Sequence, residues 1–220
     1  MNSTDSPPVI CPAILAEDNE SYHRQIKKIA HIAHRIQIDL TDGRFAPHKT
    51  IGPQDAWWPV GFKADIHLMF YDPAPAIRAI LHHKPYTIII HAEAEGSFGD
   101  VVESCKSSGV RVGVALLAKT PPQTIFSALE HIDHVLVFSG DLGNFGGQAD
   151  LRLLDKVQAL KQQKPELEIG WDGGVNDQNA ARLVFGGVDV LNVGGYLQNA
   201  EDPERAFKTL DRIAQETGTT

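Results

Sequence analysis

Three short segments interleave apolar residues with groups able to exchange protons or hold a ligand. In the first, Ile36, Ile38 and Leu40 alternate with Gln37, Asp39 and Thr41. In the second, Ala64, Ile66 and Leu68 alternate with Asp65, His67 and Met69. In the third, Leu167, Ile169 and Trp171 alternate with Glu168, Gly170 and Asp172. Successive side chains of an extended strand point to opposite faces, so each segment has one apolar and one polar face. Alternation in one strand also describes a solvated strand face. Here three strands carry polar groups toward their C-terminal ends: Gln37, Asp39, His67 and Asp172. Carboxylates and imidazole are costly to bury unless they pair or bind something.

Glycine pairs give a second signal. Residues 144–148 read NFGGQ, residues 172–175 read DGGV and residues 193–196 read VGGY. Glycine lets backbone amides approach an anion closely. One such pair is an ordinary turn. Gly146, Gly147, Gly173, Gly174, Gly194 and Gly195 together follow three consecutive strands, which is the pattern of a phosphate site.

The elements that must position these groups follow from the alternation of short β-branched runs with longer amphipathic stretches. Strands are predicted at 9–11, 35–40, 62–69, 86–91, 111–116, 134–138, 167–171 and 188–193. Helices are predicted at 19–30, 74–83, 99–108, 123–129, 150–163, 177–185 and 203–215. Asn176 is suited to an N-cap, Pro203 to a first helical turn and Gly109 to a helix stop. Segment 43–59 carries Gly43, Pro47, Gly52, Pro53 and Pro59 and reads as a long loop with one turn around Gln54 to Trp58. Eight strands with about seven crossovers predict an α/β fold, a single-domain (β/α)8 TIM barrel. A doubly wound sheet is the structural alternative, but it would place a glycine-rich turn after the first strand, and residues 11–18 have none. The barrel is expected over 9–217, after a flexible segment at 1–8.

Composition narrows the function. The 220 residues are 42% hydrophobic and 22% charged, as in globular proteins. Lys and Arg total 20 against 28 Asp and Glu, a net charge of −8 that argues against a nucleic-acid surface. No apolar run approaches the roughly 20 residues of a membrane span. Cys11 and Cys105 are too few for a disulfide scaffold and are expected to be buried thiols. A cytoplasmic location is the simplest expectation.

The motifs CPAIL at 11–15, QIDLTDGRFAP at 37–47, DIHLM at 65–69, FGGQ at 145–148 and DGGV at 172–175 resemble ribulose-phosphate 3-epimerases, in that family's order. The resemblance runs from about Val9 to Leu210. It implies a (β/α)8 barrel that inverts C3 of a ketopentose 5-phosphate, with a divalent metal (zinc, iron or manganese) held by two His and two Asp. On this resemblance Asp39 and Asp172 are the catalytic carboxylates. The metal set is Asp39, His67 and Asp172 with Gln37 at the second histidine's position. Met69 and Ala13 border the substrate and the six glycines face its phosphate; His91 is expected to border the site from its place at the end of the fourth strand. Homo-oligomers are also implied.

Several departures stand out. Gln37 replaces a histidine, and an amide oxygen is a weaker ligand than imidazole for zinc or iron, so weak metal binding or none is expected. Ala13 replaces a serine, Gly195 stands where the family has serine, and Lys119 replaces a small residue. The loop at 139–148 is one residue longer than the family's and lacks its Asn-Pro. They leave open a barrel acting on another sugar phosphate, without metal or with Lys119 as an aldolase-type lysine, and a catalytically silent sugar-phosphate-binding protein. Of the other histidines, His82 and His83 suit a helix end and His23 and His31 a helix surface. His48 and Lys49 fall in the long loop, and Trp57 and Trp58 read as packing groups.

Overall fold

Eight parallel strands hydrogen-bond in sequence order and close on themselves in the computed structural model, which describes residues 7–218. The strands are β1 (Val9–Leu15), β2 (Arg35–Thr41), β3 (Lys63–Met69), β4 (Thr87–His91), β5 (Arg111–Leu116), β6 (His134–Phe138), β7 (Glu168–Asp172) and β8 (Val190–Val193). The helices are α1 (Asn19–Ile29), α2 (Ala74–Ile80), α3 (Phe98–Ser107), α4 (Leu154–Gln163), α5 (Ala180–Phe185), α6 (Gly195–Gln198) and α7 (Pro203–Gly218). The expected (β/α)8 barrel is therefore the fold. The outward residues of the strands, among them Ile36, Ile38, Ile66, Val135 and Ile169, are buried against the helices in two large apolar clusters.

Local chemistry sets the helix ends. Asp18 accepts from the Ser21 amide at 2.7 Å, and Ser97 from the Asp100 amide at 3.2 Å, which satisfies first-turn donors of α1 and α3. Gly109 takes φ +69 beyond α3, the left-handed conformation a helix stop requires.

Several boundaries differ from expectation. The first strand runs through Pro12 to Leu15, because β1 pairs with β8 over Val9 to Pro12 and with β2 over Ala13 to Leu15. The missing proline N–H falls where the ladder changes partner. Segment 122–131 is a 3-10 helix rather than an α-helix; its buried Pro122 and Ile125 are three apart, the repeat of that helix. Asn176 does not cap α5. It accepts from the Gln178 amide at 2.9 Å in the turn before it, and Asn179 occupies the cap position. The Gly-Gly after β8 opens the short helix α6 rather than a loop. Pro8 is buried and its carbonyl accepts from Gln215 at 3.2 Å, so the chain is tied to α7 from Pro8; residues 1–6 of the expected flexible segment lie outside the described residues.

The inward side chains at the N-terminal end of the barrel form an ionic floor. Arg35 donates to Asp65 at 2.7 Å and to both Glu168 oxygens at 2.9 and 2.8 Å. Glu168 also meets His134 at 2.8 Å and Arg111 at 3.0 Å. Above the floor, Ile89, Ala115 and Leu136 fill the barrel, where Gly113 and Gly170 leave them room: a Cβ on Gly113 would lie 2.7 Å from Ile89 Cγ1. Among the described residues no helix is long and apolar enough to cross a membrane.

Candidate active site

The alternation read from the sequence delivers Gln37 and Asp39 of β2, His67 of β3 and Asp172 of β7 to the C-terminal end of the barrel interior. Register aligns Asp39 with His67, and their side chains meet: His67 Nδ1 lies 2.8 Å from Asp39 Oδ1. The same nitrogen is 3.9 Å from Asp172 Oδ2. One ligand atom from each of Asp39, His67 and Asp172 falls within 4.8 Å of the others, a cluster able to hold a cation.

Gln37 lies fully buried beneath this cluster. Its Nε2 donates to Asp39 Oδ1 at 2.9 Å and to Asp172 Oδ2 at 2.5 Å, while Oε1 is buried without a partner. The amide thus links the two carboxylates by its nitrogen. Burial pushes the Asp172 carboxyl up to about 7, with the charge of Asp39 adding to the effect; His67 and the Gln37 hydrogen bond act the other way.

A cavity of about 260 Å³ opens above these groups. Asp39, Asp172, Ala13 and Met69 line it, and so do all six predicted glycines. Gly173 has φ +112, and a Cβ there would lie 2.1 Å from the Gly140 amide nitrogen, so two loops can meet only at glycine. Gly194 makes room for Phe145, which another Cβ would approach to 2.5 Å. The long loop after β2 reaches the same mouth, with Ala46 packed on Gly143.

Two expected residues stand elsewhere. His91 does not line this cavity. It is 1% exposed behind His67, their Nε2 atoms 2.9 Å apart, and the Phe45 ring covers it at 4.7 Å between centroids. Burial lowers its pKa to about 4, with Glu93 opposing the effect and His67 adding to it. Behind it, Glu93 Oε2 lies 3.4 Å from His91 Nδ1, and the other Glu93 oxygen accepts from the Thr120 hydroxyl and the Leu117 amide. Lys119 is in an exposed turn and lines neither the cavity nor the barrel interior, which removes it as a Schiff-base candidate. Cys11 and Cys105 are buried and free, as expected.

The sequence reading missed Asn192 of β8, which lines the cavity and is 2% exposed. The signal was present: it is the one polar residue in the buried run Val190-Leu191-Asn192-Val193.

A closed parallel barrel with carboxylates from β2 and β7 at a glycine-lined mouth defines a (β/α)8 enzyme. Residues 9–198 match the Ribulose-phosphate 3 epimerase family. The chain is 31% identical over 214 residues to ribulose-phosphate 3-epimerase of Helicobacter pylori strain J99, covering 94% of this chain and 98% of that one. It is 32% identical over 211 residues to ribulose-phosphate 3-epimerase of Bacillus subtilis, covering 91% and 97%. The fold is shared with 3-hexulose-6-phosphate synthase from Salmonella typhimurium, with a TM-score of 0.72, 13% identity and coverage of 95% and 99%. The chain belongs to the ribulose-phosphate 3-epimerase family, and so to the isomerases.

Proposed function

We propose that the protein interconverts ribulose 5-phosphate and xylulose 5-phosphate by moving the C3 proton between Asp39 and Asp172. One observation carries this reading: the two carboxylates, from β2 and β7, line one cavity together with the six glycines. Inversion next to a carbonyl needs a base on one face of the carbon and an acid on the other. One carboxylate takes the proton, an enediolate forms, and the other carboxyl returns a proton to the opposite face. The raised affinity of Asp172 suits it to hold a proton at neutral pH. Backbone amides of the glycines would hold the phosphate, which needs no basic patch and fits a chain of net charge −8.

The donor set fits a divalent metal. Asp39, His67 and Asp172 would hold it, with Gln37 as a fourth ligand only when its amide turns to present Oε1. A bound divalent ion would supply positive charge to stabilise the developing enediolate. For His67 to ligate through Nδ1, the proton facing Asp39 must leave that nitrogen, and Nε2 then donates to His91. A second reading, epimerisation without metal, is favoured by the Gln37 nitrogen lying between the carboxylates, where it already offsets their repulsion. Activity that survives exhaustive chelation would support this second reading.

The test is ribulose 5-phosphate in D₂O, followed by NMR with and without Mn²⁺, Fe²⁺ or Zn²⁺. Deuterium at C3 with formation of xylulose 5-phosphate is expected. Asp39→Asn and Asp172→Asn should each lower turnover by about 10³-fold or more. Each variant should still exchange the C3 proton of one epimer only. Full activity in both variants would overturn the two-carboxylate reading.

A further inference from the structure

The Asn192 backbone pairs with β1 and β7, but its side chain makes no hydrogen bond within the protein. Its side chain is 2% exposed, yet neither Oδ1 nor Nδ2 has a hydrogen-bond partner. A buried amide left unpaired destabilises a fold, and leucine, of similar shape, would remove the penalty. The neighbours Val190, Leu191 and Val193 show that the strand is otherwise apolar. Asn192 is among the residues that line the cavity of Asp39 and Asp172. Its strand partner is Asp172, and Gly194 follows two residues later.

We infer that Asn192 is a specificity-determining residue that holds the C4 hydroxyl of the substrate. The inference rests on the reading above, that the cavity takes a ketopentose 5-phosphate. With the phosphate against the glycines and C3 between the carboxylates, C4 lies between them, beside the strand that joins Asp172's register to Gly194. A hydroxyl both donates and accepts, and the Asn192 amide offers a donating NH₂ and an accepting oxygen, neither with a partner in the protein. Ala13, in the same cavity, offers neither.

The experiment compares the full-length wild type with Asn192→Leu and Asn192→Ala on ribulose 5-phosphate and on its 4-deoxy analogue. C3 proton exchange and calorimetric binding are both read, with inorganic phosphate as a control ligand. Asn192→Leu should lose about 10- to 100-fold in kcat/KM on the hydroxylated substrate and nothing further on the 4-deoxy analogue. Its affinity for inorganic phosphate should be unchanged. Ligand-free Asn192→Leu should melt at or above the wild-type temperature, because two unpaired buried atoms are gone. Equal losses on both substrates, no loss on either, or a lower melting temperature of the free protein would overturn the inference. If the wild type exchanges no C3 proton, the epimerase reading fails. Binding then decides on Asn192: selective loss of affinity for the hydroxylated ligand supports it, and equal affinities overturn it.

Discussion

Nε2 of Gln37 lies 2.5 Å from Oδ2 of Asp172, so a side chain of β2 reaches a carboxylate of β7 through the barrel interior. The same nitrogen reaches Asp39 at 2.9 Å. A neutral donor therefore links the two acids, which a cation would otherwise neutralise.

Gln37→His should strengthen metal binding. An imidazole adds a good nitrogen ligand for zinc or iron and removes the amide donor between the carboxylates. We expect divalent-ion affinity to rise by about 10-fold or more, on the scale that ligand-shell changes produce. Metal content after dialysis against a chelator, wild type beside variant, is the measurement. Equal or lower retention in the variant would contradict it.

In metal-free protein, one carboxyl of the Asp39–Asp172 pair should titrate near 7, as the burial and mutual charge of Asp172 require. Carboxyl carbon NMR across pH reads it directly. Adding a divalent ion should move that titration down, since a nearby cation favours the charged form. No carboxyl titrating above the ordinary range in the metal-free protein would refute the assignment.

Glu93 should govern metal affinity without touching the cavity. It lies 3.4 Å from His91 Nδ1, and His91 in turn meets His67. When His67 gives its Nδ1 to a metal, the proton on its other nitrogen shifts the His91 proton toward Glu93. Glu93→Gln weakens the acceptor at the end of this relay and should lower metal affinity about 10- to 100-fold. Competition with a chelating dye checks this, and an unchanged affinity would rule the relay out.

The ionic floor should make the fold acid-sensitive. Burial alone would raise the Glu168 pKa, but hydrogen bonds from Arg35 and His134 outweigh it and hold the carboxyl far below its usual range. A carboxyl whose pKa is depressed by folding stabilises the protein above its unfolded value of about 4.3. That contribution drains away as pH falls below this value toward the folded pKa. Glu168→Gln should destabilise the protein at neutral pH by about 3–5 kcal/mol, because Arg35 loses a buried partner. Its denaturant midpoint should also depend less on pH below 5 than that of the wild type. Parallel acid profiles for the two proteins would sink this account.

Much of this was legible from periodicity. The two-residue alternation in β2, β3 and β7 put Gln37, Asp39, His67 and Asp172 on one inner face, and the glycine pairs all border the cavity. What escaped depends on neighbours distant in sequence. His91 occupies a strand end like Asp39, but Phe45 of a remote loop covers it. Gln37 reads as a ligand by position, whereas two carboxylates turn its nitrogen toward them. Asn192 is a single polar residue in an apolar run, and only its missing partners mark it. Arg35, Asp65 and Glu168 lie at the N-terminal ends of their strands, where their mutual pairing is a property of closure rather than of any one segment.

That pairing makes the barrel a blind vessel. Arg35, clamped between Asp65 and Glu168, fills the N-terminal end of the barrel, and the cavity of Asp39 and Asp172 opens at the opposite end. Product must depart through the opening by which the next substrate arrives, so the two compete for one doorway. Under the proposed reaction, a hydrogen lifted from carbon would meet bulk water only through that doorway. The rate at which isotope from the medium enters the sugar therefore becomes a clock for the opening of the mouth.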